Sequence, residues 1–293
     1  MKKAIRACSI MTALVALTGC HARDAIATKA LVVKSLAQMV AIPGGTYTMG
    51  PTNPNWQSGN TYPPHTVTLT GFYISKFNVS YGEYDSYTHF AGLPLVHPES
   101  YQLHSFDRTA NHPVNFIDWY QANDYCQWLA KKTRLPFDLP TEAQWEYVAR
   151  NLGKPHWVFA TNNGQQELGK NFPNEAMFDA QPGNIGGVDL PLPVGSLPCT
   201  PMGICGMNGE VEQWVKDWYS PDYYSHSPVN NPQGPATGTQ KVTRSGGAQD
   251  DPMYDYNFDR YGDNPNHAIA GFRCVINSTL PMAQLKAQAL QRS

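Results

Sequence analysis

Glycine and proline, 24 of each in 293 residues, are spread evenly from Met39 onward and interleaved with aromatic residues. Each proline removes a backbone donor and each glycine opens turn geometry, so a chain punctuated this way makes many turns and little long helix. No Ser-rich or charge-rich break and no internal repeat interrupts the stretch. A single domain over residues 39–277 is therefore expected, followed by a tail over residues 278–293. With 41% hydrophobic residues and a formal charge of −2, the chain can bury one large core, and no basic tract directs it to nucleic acid.

The amino terminus reads as an export signal. Lys2, Lys3 and Arg6 form a basic start, Ile10 to Leu17 an apolar stretch, and the segment ends in Leu17-Thr18-Gly19-Cys20. Spanning a bilayer takes ~20 apolar residues, so a signal cleaved after residue 19 is expected. The sequence around Cys20 resembles a bacterial lipobox, with Gly19 small enough to admit the peptidase and the Cys20 thiol accepting lipid. An ordinary secretory signal with an incidental Cys20 is the alternative. His21, not Asp, follows Cys20, which resembles lipoproteins sorted to the outer membrane, here facing the periplasm. Residues 20–38, short and Ala-rich, read as a lipidated tether. Of six cysteines, Cys8 leaves with the signal and Cys20 takes lipid; Cys126, Cys199, Cys205 and Cys274 remain. An even count in an oxidising compartment points to two disulfides rather than reactive thiols.

Local patterns place several elements. Ser80-Tyr81-Gly82-Glu83 fits a capping box, opening a helix to about Phe90. Trp119, Ala122, Cys126 and Leu129 recur at helical spacing within a helix expected over residues 117–131. Thr141-Glu142-Ala143-Gln144 is a second capping box, before a helix that buries Trp145 and Val148. His65 to Leu69 alternates as a strand does. Tyr223 to Gln240, with Pro228, Pro232, Gly234, Pro235 and Gly238, reads as a long surface loop, and Pro281 to Arg292 as a short helix or a frayed end. The class is α+β with prominent irregular segments.

Several blocks then carry a resemblance. They are Ile42 to Gly50, Phe72 to Ser80 with Tyr84, Pro113-Val114 with Trp119 to Trp128, and Arg134-Leu135-Pro136 with Leu139 to Tyr147. Gly209 to Trp214 with Asp217-Trp218, Arg244 to Gly247, and Gly271 to Cys274 complete the set. Together and in this order, over Met39 to Val275, they resemble the sulfatase-modifying factor family of formylglycine-generating enzymes. The resemblance implies a compact, irregular α+β domain related to C-type lectins. It also implies a disulfide between Cys126 and Cys274, which leaves Cys199 and Cys205 to pair with each other. A metal site of two thiolates plus histidine is the rival for the latter pair.

The resemblance further implies two copper-binding cysteines shortly after the Gly-Gly block. Aligned without gaps from Gly246-Gly247, those positions fall on Asp251 and Tyr256, and no cysteine lies between Cys205 and Cys274. Cu(I) needs soft thiolates, so copper chemistry is not expected. Another branch of the family holds iron through histidines, but His65, His89, His97, His104, His112, His156, His226 and His267 lack its His-x3-His-x-Glu spacing. A facial triad assembled from distant loops stays open. The family's second calcium site falls on Gly206 and Gln213, where the loss of a carboxylate degrades it. Asn174, Asp179, Asn184 and Asp189 form a second calcium candidate, although turn chemistry alone favours Asp and Asn in such a loop. No cofactor is expected beyond calcium.

Asp250, Asp251, Asp255, Asp259, Arg260 and Asp263, interleaved with Tyr254, Tyr256, Phe258 and Tyr261, lie where the family lines its substrate cleft. Acidic and aromatic residues together suit recognition of a basic or extended partner, and Asp250, Asp251, Tyr254, Asp255, Tyr256 and Arg260 are the candidate surface. A solvated loop whose aromatics plug the cleft is the alternative. Asp251 or Glu212 would be the general base of an enzyme, but no nucleophile partners either. The expectation is a non-catalytic envelope lipoprotein that binds another envelope or secreted protein, as some exported relatives look like accessory or protective factors of secretion systems. A metal-dependent oxidoreductase or protein-maturation enzyme, and a structural lipoprotein on the cell wall, are the competing readings.

Overall fold

The computed structural model describes residues 25–53, 55, 59–96, 109–181, 191–246 and 255–291. Part of the segment expected to be a tether is instead helix α1, over residues 25–37. Its Leu31, Val32, Ser35 and Leu36 fall on one helical face and are buried, the three aliphatics in the main core. The lipobox and Cys20 lie outside the described residues.

Strands β1 (Met39–Ile42), β2 (Gly45–Met49), β3 (His65–Leu69) and β4 (Phe72–Ser75) follow. β3 has the bounds its alternation predicts, and it pairs antiparallel with β2 from Gly45 opposite Leu69 to Met49 opposite His65. β4 is buried at every residue because both its edges are taken: by β1, with Met39 opposite Ser75, and by β10 (Val275–Ile276), near the end of the chain. β5 (Phe137–Asp138) closes that sheet on the far side of β10. The other four-stranded sheet has the order β8-β7-β6-β9, built from β6 (Gln213–Trp218), β7 (Lys241–Arg244), β8 (Arg260–Asp263) and β9 (Gly271–Phe272), with only the β6–β9 pair parallel.

Both expected capping boxes close. In α2 (Tyr81–Ala91) the Ser80 hydroxyl accepts from Glu83 N while the Glu83 carboxylate accepts from Ser80 N, and Gly92 ends the helix in left-handed geometry at φ 69°. In α4 (Glu142–Ala149) Thr141 and Gln144 do the same, and every residue is buried. Between them, α3 (Trp119–Thr133) starts at the first residue of its apolar stripe, two residues later than the expected range, because Asp118 is itself an N-cap whose carboxylate accepts from Gln121 N. Its Cys126 is bonded to Cys274 across 148 residues, and Cys199 is bonded to Cys205.

A short helix, α5 (Glu175–Asp179), precedes β6. The final stretch forms α6 (Met282–Leu290), which buries Leu285 and Ala289 against the same core as α1 and α3. The expected surface loop from Tyr223 is irregular, but it opens with a single 3-10 turn, Tyr223–Ser225, that sends Tyr223 and Tyr224 inward. Among the described residues no helix is long and apolar enough to cross a membrane.

Candidate functional site

The block from Thr141 to Tyr147 puts two carboxylates on a helix with no exposed face, and such charges persist only when paired. Glu142 Oε1 lies 2.8 Å from Arg244 Nη1 and Glu142 Oε2 lies 2.9 Å from Arg260 Nη2. Glu146 Oε2 lies 2.8 Å from Arg244 Nη2, and its Oε1 accepts from Arg150 Nη1 at 3.1 Å and from Gly50 N at 2.7 Å. Tyr224 donates its hydroxyl to Glu142 Oε1 at 3.2 Å. Burial drives Glu142 upward, but Arg260 and Arg244 outweigh it and hold the carboxyl below its ordinary range. These ion pairs tie α4 to β7 and β8. Arg260, expected on a recognition surface, is therefore buried inside this network.

Asp255 is the second correction to that surface. It is buried, and its Oδ1 accepts from Gly246 N at 2.6 Å and from Asn208 Nδ2 at 2.8 Å, while Oδ2 accepts from Gly209 N at 3.0 Å. Burial outweighs these hydrogen bonds and pushes the carboxyl up to about 7. The Asp255–Gly246 bond holds together the two described residues that flank residues 247–254. Asp250, Asp251 and Tyr254 lie within that segment and outside the described residues. Asp259, partly buried, is pushed up to about 6, also by burial, and accepts from Tyr256 N. Asp263 accepts from Thr243 Oγ1.

What remains near the surface is aromatic. The half-buried Tyr256 ring stacks on Phe258, with centroids 5.1 Å apart and planes 10° apart, and tilts against Phe159, also at 5.1 Å. Phe172, itself buried, meets Phe159 edge-on at 6.5 Å. Phe159 and Phe172 come from a distant part of the chain, and no local pattern singles them out; tertiary packing alone recruits them.

The metal candidates fare differently. Gln213 Nε2 donates to the carbonyls of Gly206 and Met207, both at 3.1 Å, and Arg273 Nη2 donates to the carbonyls of Gly206 at 2.7 Å and Cys205 at 3.0 Å. Oxygens that would face a calcium ion thus face an amide and a fixed guanidinium, so these residues do not fit the ion. At Gly206, φ +61°, a Cβ would meet the buried Glu210 carboxylate. Asn174 spends its side chain capping α5 through Met177 N, and Asp179 is exposed at the other end of that helix. Asn184 and Asp189 lie outside the described residues. At the two positions expected to carry the copper thiolates stand the Tyr256 phenol and, outside the described residues, the Asp251 carboxylate; both are hard oxygen donors and do not suit Cu(I). Glu212 is half-buried just before β6. Among the described residues no three His, Cys, Asp or Glu side chains group as metal ligands do. His89, His156, His226 and His267 are exposed, whereas His112 is buried between Thr109 and Gln181 and His65 packs edge-on to Tyr224; His97 and His104 are not described.

Comparison with known proteins gives this geometry its context. The family model described as sulfatase-modifying factor enzyme 1-like domain matches residues 25–278. The formylglycine-generating enzyme of Mus musculus is 27% identical over 297 residues, covering 85% of this chain and 77% of that protein. Among solved structures, PvdO from Pseudomonas aeruginosa superposes with a TM-score of 0.67 at 25% identity, over 82% of this chain and 94% of that one. The Treponema denticola variable protein 1, at 21% identity and a TM-score of 0.62, covers 82% of this chain and 95% of its own and shares the fold.

Proposed function

This chain belongs to the family of sulfatase-modifying factor enzyme 1-like domains, and we propose that it is a non-catalytic member that recognises another envelope or secreted protein. In this reading lipid at Cys20 holds it to the outer membrane, and its partner belongs to, or attacks through, a secretion system. The observation that carries the proposal is the thiol inventory. Cys126, Cys199, Cys205 and Cys274 are consumed in disulfides, and Tyr256, stacked on Phe258 and tilted against Phe159, is the residue to which the resemblance assigns the second catalytic cysteine position. Without soft sulfur donors the copper-dependent oxidation has no ligand set. Tyr256 and Phe159 are instead aromatic side chains that stay partly exposed, and such rings give contact area at little entropic cost.

Two measurements test this. The purified mature protein, given copper, oxygen and a cysteine-bearing peptide, is expected to form no peptide aldehyde. A photo-crosslinking residue in place of Tyr256, activated in intact envelopes, is expected to trap one protein in stoichiometric amount. Aldehyde formation, or the absence of any adduct, contradicts the proposal. The competing reading, a metal-dependent oxidoreductase or maturation enzyme, draws on the formylglycine-generating enzymes among the relatives. It requires stoichiometric iron or copper that is lost when one histidine or aspartate is changed.

A further inference from the structure

A groove unrelated to the aromatic platform crosses the ends of β1, β4 and β10. Its volume is about 570 Å³, and Thr70, Gln144, Asn231, Gln233, Asn277 and Thr279 supply its polar wall. None of its lining residues is charged. Backbones approach closely along it: a Cβ at Gly71 would lie 3.2 Å from Ile42 O, and one at Gly44, in its continuation, 2.6 Å from Leu69 O. From Gly71, Phe72, Ser278 and Thr279 the depression continues past Ala41, Ile42, Pro43 and Gly44 for a further 420 Å³ or so. Exposed Ala41 and Pro43 make that extension more apolar than the first part.

The polar wall is held in place by contacts that leave other atoms unused. Gln144 Oε1 accepts from Thr141 N in the α4 cap, and Gln144 Nε2 donates to Asn277 Oδ1 at 2.9 Å. Asn231 is tied to Thr70 twice, accepting from its amide at 2.8 Å and donating to its hydroxyl at 3.1 Å. Gln233 Nε2 donates to Asn231 O at 2.9 Å. Asn277 Nδ2, Gln233 Oε1 and the Thr279 hydroxyl have no hydrogen-bonding partner among the described residues. They are donors and acceptors on a wall whose geometry is already set, which lowers the cost of ordering on binding.

We propose that this groove binds an uncharged oligosaccharide carrying acetamido groups. Neutral amides and hydroxyls pair with sugar hydroxyls, each of which both donates and accepts. The absence of charge in the lining disfavours phosphates and acidic or basic peptides. The groove crosses strand ends and meets only Ala41 and Ile42 of the edge strand β1, too short a run to offer an extended peptide a ladder of main-chain groups. The volume suits a small ligand, the continuation suits a chain of sugars rather than one, and the apolar end suits acetamido methyls.

The test uses the full mature chain and chitotetraose, followed by calorimetry and by amide chemical shifts. Saturable binding is expected, with shifts at Thr70, Asn277 and Thr279. Asn277→Ala and Gln233→Ala are each expected to weaken it about fivefold or more, the loss of roughly one hydrogen bond. Both side chains are exposed, so folding is expected to be intact, and Thr279→Val serves as an independent variant. Maltotetraose, lacking acetamido groups, is expected to bind more weakly. No saturation by about 10 mM, a ceiling already above ordinary weak binding, overturns the proposal. So does equal affinity in all three variants, or equal binding of maltotetraose.

Discussion

Arg244 Nη2 lies 2.8 Å from Glu146 Oε2 with both side chains fully buried, so one ion pair fastens β7 to a helix that has no solvent face. Removing either partner unbalances this buried network, although Glu142 still faces Arg244 and Arg150 still faces Glu146. Glu146→Ala and Arg244→Ala are each expected to cost about 3–5 kcal/mol in urea unfolding. Replacing both by methionine is expected to cost less than the sum of the two single changes, and strict additivity contradicts the coupling.

Burial and the nearby Glu142 charge push the Asp217 carboxyl up to about 7, and burial does the same to Asp255. In both, the folded-state value exceeds the unfolded one. Their contribution to stability is therefore complete below about pH 4 and is lost as pH rises through about 7. Urea midpoints measured from pH 5 to pH 8 are expected to show this decline. Asp217→Asn keeps an acceptor for Glu142 N and is expected to flatten the profile; parallel profiles contradict the assignment.

The Cys126–Cys274 bond closes a loop of 148 residues. In the chain-entropy model its removal costs about 5 kcal/mol, so Cys126→Ala with Cys274→Ala is expected to lower Tm steeply. Non-reducing peptide mapping of the parent protein checks the pairing itself, and free thiols at these positions contradict it.

At Gln213, a change to Glu turns the amide that donates to Gly206 O and Met207 O into a second acceptor facing them. The expected loss is about 1–3 kcal/mol. Calcium is not expected to restore it, because Arg273 already donates to Gly206 O. A thermal melt of the variant with calcium and with chelator decides the matter, and a calcium-dependent rise in Tm contradicts it.

Leu36, 1% exposed, carries α1 into the core. Leu36→Ala is expected to cost about 2–5 kcal/mol, whereas an equivalent change in a tether would cost nothing. Equilibrium unfolding distinguishes the two.

Elements whose causes are local were legible in the sequence. The Ser80 and Thr141 capping boxes and the alternation of His65 to Leu69 are short-range patterns, and the structure keeps them. The segment before Met39 was misread because Ala-rich composition says nothing of the face that Leu31, Val32 and Leu36 share. Arg260 and Asp255 were misplaced for a different reason. Charge in an acidic-aromatic run suggests solvent, yet their partners, Glu142 for one and Gly246, Asn208 and Gly209 for the other, come mostly from far along the chain. Phe159 beneath Tyr256, and Asn231 beside Asn277, are likewise products of tertiary folding alone.

The long-range sulfur bridge bears on how the molecule meets proteases. A single cut anywhere between Cys126 and Cys274 would leave two fragments still joined covalently. Nicked protein would migrate as one species until a reductant is added, and an attack that separates the pieces of most domains would here leave them together.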